Sequence, residues 1–217
     1  MKITRSRPSG FTLIELMVSI VIIAVLAVIA FVVGSKAVMK AQRTTALAQM
    51  RDISVGIEAF TVDYRRPPVP KSKRDTGWDT IYGDPGGLYS NASLMGALMG
   101  SDEEFKTATG EIFAGIDMNP KGNVYAEPRI VDDKKNGVGR EDGKLYDPWG
   151  REIMFAVNTP PFRTKDAGGK NDKRLMTWGL AEYTDKKPRE QAYVVWSYGK
   201  DGVKSKGYGG ADDVANW

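Results

Sequence analysis

At 217 residues the chain is long enough for one medium-sized domain with its own core and an appendage. The absence of cysteine excludes disulfides and thiol chemistry, and the absence of histidine removes the usual general base, the Ser-His-Asp arrangement and most zinc sites. Of the +4 formal charge, three positive charges are Lys2, Arg5 and Arg7 in a leader without an acid, so the basic balance marks the amino terminus and does not describe a face for nucleic acid.

The first predicted element is the apolar run from Phe11 to Val33, 23 residues interrupted by one carboxylate, Glu15. A charged group in hydrocarbon is costly, so an acid there calls for a function. A secretory signal has a core of about 7–15 apolar residues and a small-residue cleavage site. This run is longer, and no such site with a polar exit follows it. A plain membrane anchor needs about 20 apolar residues and gains nothing from Glu15. A leader cut just before the run, leaving the helix on the product, accommodates both the length and the acid.

The segment Gly10-Phe11-Thr12-Leu13-Ile14-Glu15, after a short basic leader, resembles the prepilin signature of type IV pilins and of the pseudopilins of type II secretion. The resemblance implies cleavage by a membrane prepilin peptidase between Gly10 and Phe11, and methylation of the new amine on Phe11. It also implies an assembly role for Glu15, whose carboxylate would face the amine of a neighbouring subunit in a filament of staggered helices. Two charges that are costly alone in low dielectric are tolerable as a pair. The alternative is a carboxylate snorkelling to the headgroups. One departure is plain: family members often carry a glycine and a proline within this helix, whereas here the only breaker is Gly34, at the end of the run.

No proline occurs from Phe11 to Arg66, and Pro67-Pro68 then supply a stop. Ala46, Met50, Ile53, Ile57, Phe60 and Tyr64 recur at alternating spacings of four and three, one helical stripe. Arg43, Gln49, Arg51, Asp52 and Glu58 lie opposite. This predicts one helix over about 12–64, on the order of 80 Å at 1.5 Å per residue. The stripe would seat a globular domain, with a short coiled-coil seam as the alternative.

Beyond Pro70 turn residues punctuate the chain. Residues 91–99 read as a short helix with Asn91 or Ser93 near its start. Residues 100–145 read as an irregular excursion with one short strand near 123–126. Asp147-Pro148-Trp149-Gly150 is a turn before the strand candidate REIMFAVN. RLMTWGLA, residues 174–181, is a second candidate, and QAYVVWSYG, residues 191–199, is the best, being aromatic and β-branched and bounded by glycine. The DPWG–strand–loop–strand–GxDG order, with FTVDYRRPP and DDVANW, resembles the type II secretion major pseudopilin. The match covers roughly residues 8–68, 147–158 and 191–217, with the stretches between reading as insertions.

Five of the twelve residues from Gly199 to Gly210 are glycine, and Asp201, Asp212 and Asp213 flank them. Carboxylates across a glycine-rich loop suit calcium, a hard ion that takes six to eight oxygens, or simply a solvated turn. The resemblance implies calcium, held by the Tyr198 carbonyl and the side chains of Asp201, Asp212 and Asp213, with Gly210 as a further carbonyl donor. Residues 132–143 resemble an EF-hand start, but the third position is Lys134 and the twelfth Gly143, so a solvated loop is the reading there. The other basic clusters, at residues 71–74, 134–135 and 186–189, lie among acids in loop-like sequence, as solvated loops do.

The expected architecture is α+β and pilin-like: a long N-terminal helix, apolar in its first half, packed by its second half on a small antiparallel β-sheet domain with long irregular loops. Residues 1–10 form the leader, 11–34 the membrane or filament-core helix, 35–66 its amphipathic continuation and 67–217 a periplasmic head. The leading functional expectation is a structural subunit, not an enzyme: the major pseudopilin of a type II secretion system. Its partners would be copies of itself, the prepilin peptidase, an inner-membrane assembly platform and minor pseudopilins, with no nucleic acid. A single-pass inner-membrane form would precede a periplasmic or cell-surface filament. The alternative is a type IV pilus subunit for adhesion, motility or DNA uptake. A membrane-anchored enzyme would need a convergent site, and the sequence offers no phosphate loop and no nucleophile paired with a base.

Overall fold

With no proline to interrupt it, one helix, α1, runs unbroken from Leu13 to Tyr64 and passes through Gly34 without a break. The computed structural model describes residues 10–71, 80–83, 89–106, 112–157, 164–165, 171–172, 192–203 and 213–216. The chain divides into two compact units, Met1–Ala41 and Gln42–Trp217. In the first, the apolar side chains of α1 from Leu13 to Val33 whose burial is described are exposed, and the most apolar stretch has a mean hydropathy of 3.3. By length and composition this helix can cross a membrane.

In the second unit the stripe behaves as its spacing predicts. Ala46, Met50, Ile53, Ile57 and Phe60 are buried in the main core and Tyr64 packs partly against it. On the opposite side Arg43, Arg51, Asp52 and Glu58 face solvent. Gln49 is half-buried and donates from Nε2 to the Tyr146 carbonyl at 3.1 Å. The helix closes on Arg65, a non-glycine residue in the left-handed region (φ 51°), ahead of Pro67-Pro68.

The head is built on an antiparallel sheet of β1 (Thr80–Tyr82), β7 (Met154–Val157), β10 (Tyr193–Ser197) and β11 (Val214–Ala215), in the order β1-β7-β10-β11. Phe155 pairs with Val195, Trp196 with Met154, and Ser197 with Val214. Strand alternation sends Tyr82, Phe155, Val157, Val195 and Val214 into the core shared with α1. Met154, Ala156, Val194 and Trp196 form a second buried cluster on the other face. Burial on both faces explains why MFAV and YVVW are continuous apolar runs without polar alternation.

The remaining elements are α2 (Asn91–Met99), the hairpin β2 (Glu104–Lys106) and β3 (Ile112–Ala114), the one-turn α3 (Gly115–Met118), a three-stranded sheet of β4 (Ile130–Val131), β5 (Gly137–Gly139) and β6 (Leu145–Tyr146), and a ribbon of β8 (Thr164–Lys165) and β9 (Asn171–Asp172). The fold is thus α+β, a long apolar N-terminal helix followed by a small antiparallel sheet domain, as expected.

Three local expectations need correction. Residues 100–145 are not one irregular excursion, since β2 to β5 and α3 lie there, held by pairings of two or three residues too short to leave a period. The strand expected near 123–126 does not form. Instead Tyr125 and Ala126 both donate their N–H groups to the Leu98 carbonyl, at 2.7 and 3.1 Å, and so cap α2. The N-cap of α2 is Ser90, whose Oγ accepts from Ala92 N at 3.2 Å, while Asn91 turns inward. Its amide donates to the carbonyls of Leu145 and Ile153 at 2.9 and 2.8 Å and accepts from Leu145 N at 2.9 Å. The strand expected at residues 174–181 lies outside the described residues.

Candidate functional site

Two places carry the functional expectations. At the amino terminus, Thr12 is the residue before the first helical one and Glu15 the third residue of α1. Thr12 N and Oγ1 donate to Glu15 Oε2 at 2.8 and 2.7 Å, and Glu15 N donates back to Thr12 Oγ1 at 3.3 Å. This reciprocal pair is a capping box, satisfying N–H groups that the first turn leaves without partners. The sequence reading missed it, although the T-x-x-E spacing is the signal that could have found it. Ser19 Oγ also returns a hydrogen bond to the Glu15 carbonyl at 2.7 Å, so the two hydroxyls nearest the acid are used within the helix.

Phe11 is 78% exposed. A side-chain carbon built on Gly10 meets nothing within 4 Å among the described residues. Among the described residues, then, no packing contact demands glycine at position 10.

The second place is the tail. The β10–β11 register pairs Ser197 with Val214, so the next step outward sets Tyr198 against Asp213 at the mouth of the connecting loop. Tyr198 is half-buried, Gly199 and Gly202 take the left-handed conformation (φ 63° and 69°), and Asp201 is exposed, with Oδ1 accepting from Val203 N at 2.8 Å. Oδ1 of Asp213 is buried. Gly210 and Asp212 lie outside the described residues. Among the described residues no three acidic side chains gather as a metal cluster. The donors that are described fit a hard cation in kind: oxygens at both ends of one hairpin, with one carboxylate oxygen turned inside.

Sequence reasoning read Asp147-Pro148-Trp149-Gly150 only as a turn. The structure makes Asp147 a fully buried hub. Its Oδ1 accepts from Trp149 N and Arg151 N, both at 2.8 Å, and its Oδ2 accepts from the Ser197 hydroxyl. Burial pushes this carboxyl above its usual range, against the pull of those donors. Turn chemistry was legible in the sequence, but the contact with Ser197, 50 residues away, was not.

The loop at 132–143 is a self-paired surface loop. Lys134 Nζ sits 2.8 Å from Asp142 Oδ2, and Arg140 Nε 2.8 Å from Asp132 Oδ1, so protein cations occupy the acids that an EF-hand would turn to calcium.

The prokaryotic N-terminal methylation motif is matched over residues 5–31, which span Gly10, Phe11 and Glu15. Fimbrial protein Q of Moraxella bovis is 30% identical over 107 residues, 49% of this chain and 68% of that protein. No solved structure matches. The chain belongs to the type IV pilin-like proteins, structural subunits that bear a prepilin signal, are processed by a prepilin peptidase and polymerise into filaments. The exposed apolar half of α1 fits membrane anchoring before assembly and a filament after it.

Proposed function

We propose that this chain is the major pseudopilin of a type II secretion system, a subunit with no enzymatic role. It is cut between Gly10 and Phe11, methylated on Phe11 and assembled into a short periplasmic filament on an inner-membrane platform with minor pseudopilins. The observation that carries the filament reading is the apolar half of α1, exposed wherever its burial is described and headed by a single acid, the fifth residue after the inferred cut. An apolar surface of that extent must find lipid or copies of itself. The secretion reading is supported by the DPWG turn joined to the base of the tail loop, and by a sequence without the cysteines of a terminal disulfide. On this reading the tail loop closes around calcium, with Tyr198, Asp201, Gly210, Asp212 and Asp213 as donors. Bound there, the ion would neutralise the acids and fix the loop ends.

A surface pilus is the second reading, favoured by the likeness to fimbrial protein Q. Deleting the gene separates the two. Loss of folded proteins from the culture medium with surface adhesion, motility and DNA uptake intact is the expected result. Normal secretion with loss of surface filaments would replace the pseudopilus by the pilus.

A further inference from the structure

Past Val33 the character of α1 changes within one turn. Gly34 and Ser35 are followed by Lys36 and Lys40, both exposed and spaced i, i+4 on one helix face. From Leu16 to Arg51 the sequence holds no acid, and its charged residues are Lys36, Lys40, Arg43 and Arg51. The sole acid among residues 1–41 is Glu15, about 30 Å from Lys36 along the helix. Like charges at this spacing repel, so the pair favours a neighbourhood rich in anions.

The helix itself sets where that neighbourhood lies. From Leu13 to Val33 it rises about 30 Å, the thickness of a bilayer's hydrocarbon core. Lys36 then stands about 5 Å and Lys40 about 10 Å past the edge of the hydrocarbon, at the level of the headgroups. Their long stems can lie along the helix while each ammonium meets a phosphate. A zwitterionic headgroup carries its own counter-charge, whereas an anionic one answers the lysines. We propose that Lys36 and Lys40 form a binding site for anionic phospholipid headgroups, occupied while the subunit stands in the membrane.

The test places the full-length protein in phosphatidylcholine vesicles containing a trace of lipid with a nitroxide on its acyl chain. The chain has no cysteine, so a bimane attached to Ser35→Cys, beside Lys36, is a local reporter. It stands about 30 Å along the helix from Leu13, so anionic lipid drawn to the basic leader is not read. In about 0.1 M salt, labelled phosphatidylglycerol is expected to quench the bimane about fivefold or more as strongly per mole as labelled phosphatidylcholine, the advantage of one base near a membrane surface. The ratio should fall to about one in Lys36→Gln/Lys40→Gln, survive in Lys36→Arg/Lys40→Arg, and shrink as salt rises to about 1 M. Both lysines are exposed, so these variants are expected to fold and insert. Equal quenching by the two lipids in the wild type would overturn the proposal, as would a preference that persists in the double Gln variant. A wild type indifferent to headgroup charge, together with a Gln variant that inserts but does not polymerise, would assign the lysines to a second copy of the chain and overturn it too.

Discussion

Glu15 serves its own helix through Thr12, and on the filament reading it also serves a neighbour's amine. The two roles separate by substitution. Glu15→Gln keeps an acceptor for the Thr12 N–H but removes the charge. We expect Glu15→Gln and Glu15→Val both to be processed and inserted normally and both to slow filament growth, measured as sheared or pelleted polymer. Normal growth of the Gln variant would reduce the acid to a partner in the helix cap. Asp63, near the end of α1, makes a second residue-scale prediction. Hydrogen bonds from Lys121 and Tyr125 hold its carboxyl at about 2, below the unfolded value near 4. A depressed carboxyl contributes stability that is present above the unfolded pKa and lost as pH falls from about 4 through 2. The melting temperature of Asp63→Asn should therefore fall less than that of the wild type between pH 5 and pH 2. Parallel curves would show that the contact is too solvent-screened to matter.

At the scale of elements, the legible parts were those with a period or a strong residue preference. The alternation of four and three from Ala46 to Tyr64 located the buried face of α1, and Pro67-Pro68 its end. The β-branched and aromatic run at 193–197 located the central strand. What stayed hidden was made by distant partners. Asn91 looks like a cap in sequence, yet its amide joins the Leu145 and Ile153 carbonyls, and the cap falls to Ser90. The two-residue pairings of β4 and β6 leave no pattern to read. Gly56 shows a local rule yielding to packing. Alanine favours a helix interior over glycine by about 1 kcal/mol. Here, however, a side-chain carbon would sit 2.9 Å from the Tyr125 carbonyl oxygen and 3.2 Å from Ala126 Cβ. Gly56→Ala should thus lower the melting temperature despite its better propensity, and a rise would mean that the 125–126 segment yields easily.

At the scale of the whole molecule, the chain combines a helix segment whose described apolar side chains are exposed and a head in which β11 returns to the sheet. Asn216 N donates to the Val195 carbonyl and its Oδ1 accepts from Val195 N, each at 3.0 Å, and its Nδ2 donates to Ser54 Oγ of α1 at 3.4 Å. The strand that leads into the tail loop was readable and β11 was not, while Gly210 and Asp212 fall outside the described residues and remain a sequence expectation. If the loop binds calcium, an ion at about a hundredfold excess over its Kd stabilises the head by roughly 2.7 kcal/mol. The full-length protein in detergent should then melt lower in chelator and recover with calcium, while magnesium substitutes poorly because it demands a tighter octahedron. Asp213→Ala should abolish the difference.

The central claim is that the apolar helix stays on the product and begins at a new amine beside Glu15. Intact-mass and amino-terminal peptide analysis of the protein from its native membrane tests this most directly. The predicted result is a chain that starts at Phe11 with a methylated amine. A chain that retains residues 1–10, or one cut beyond Val33 so that the helix is lost, would contradict it.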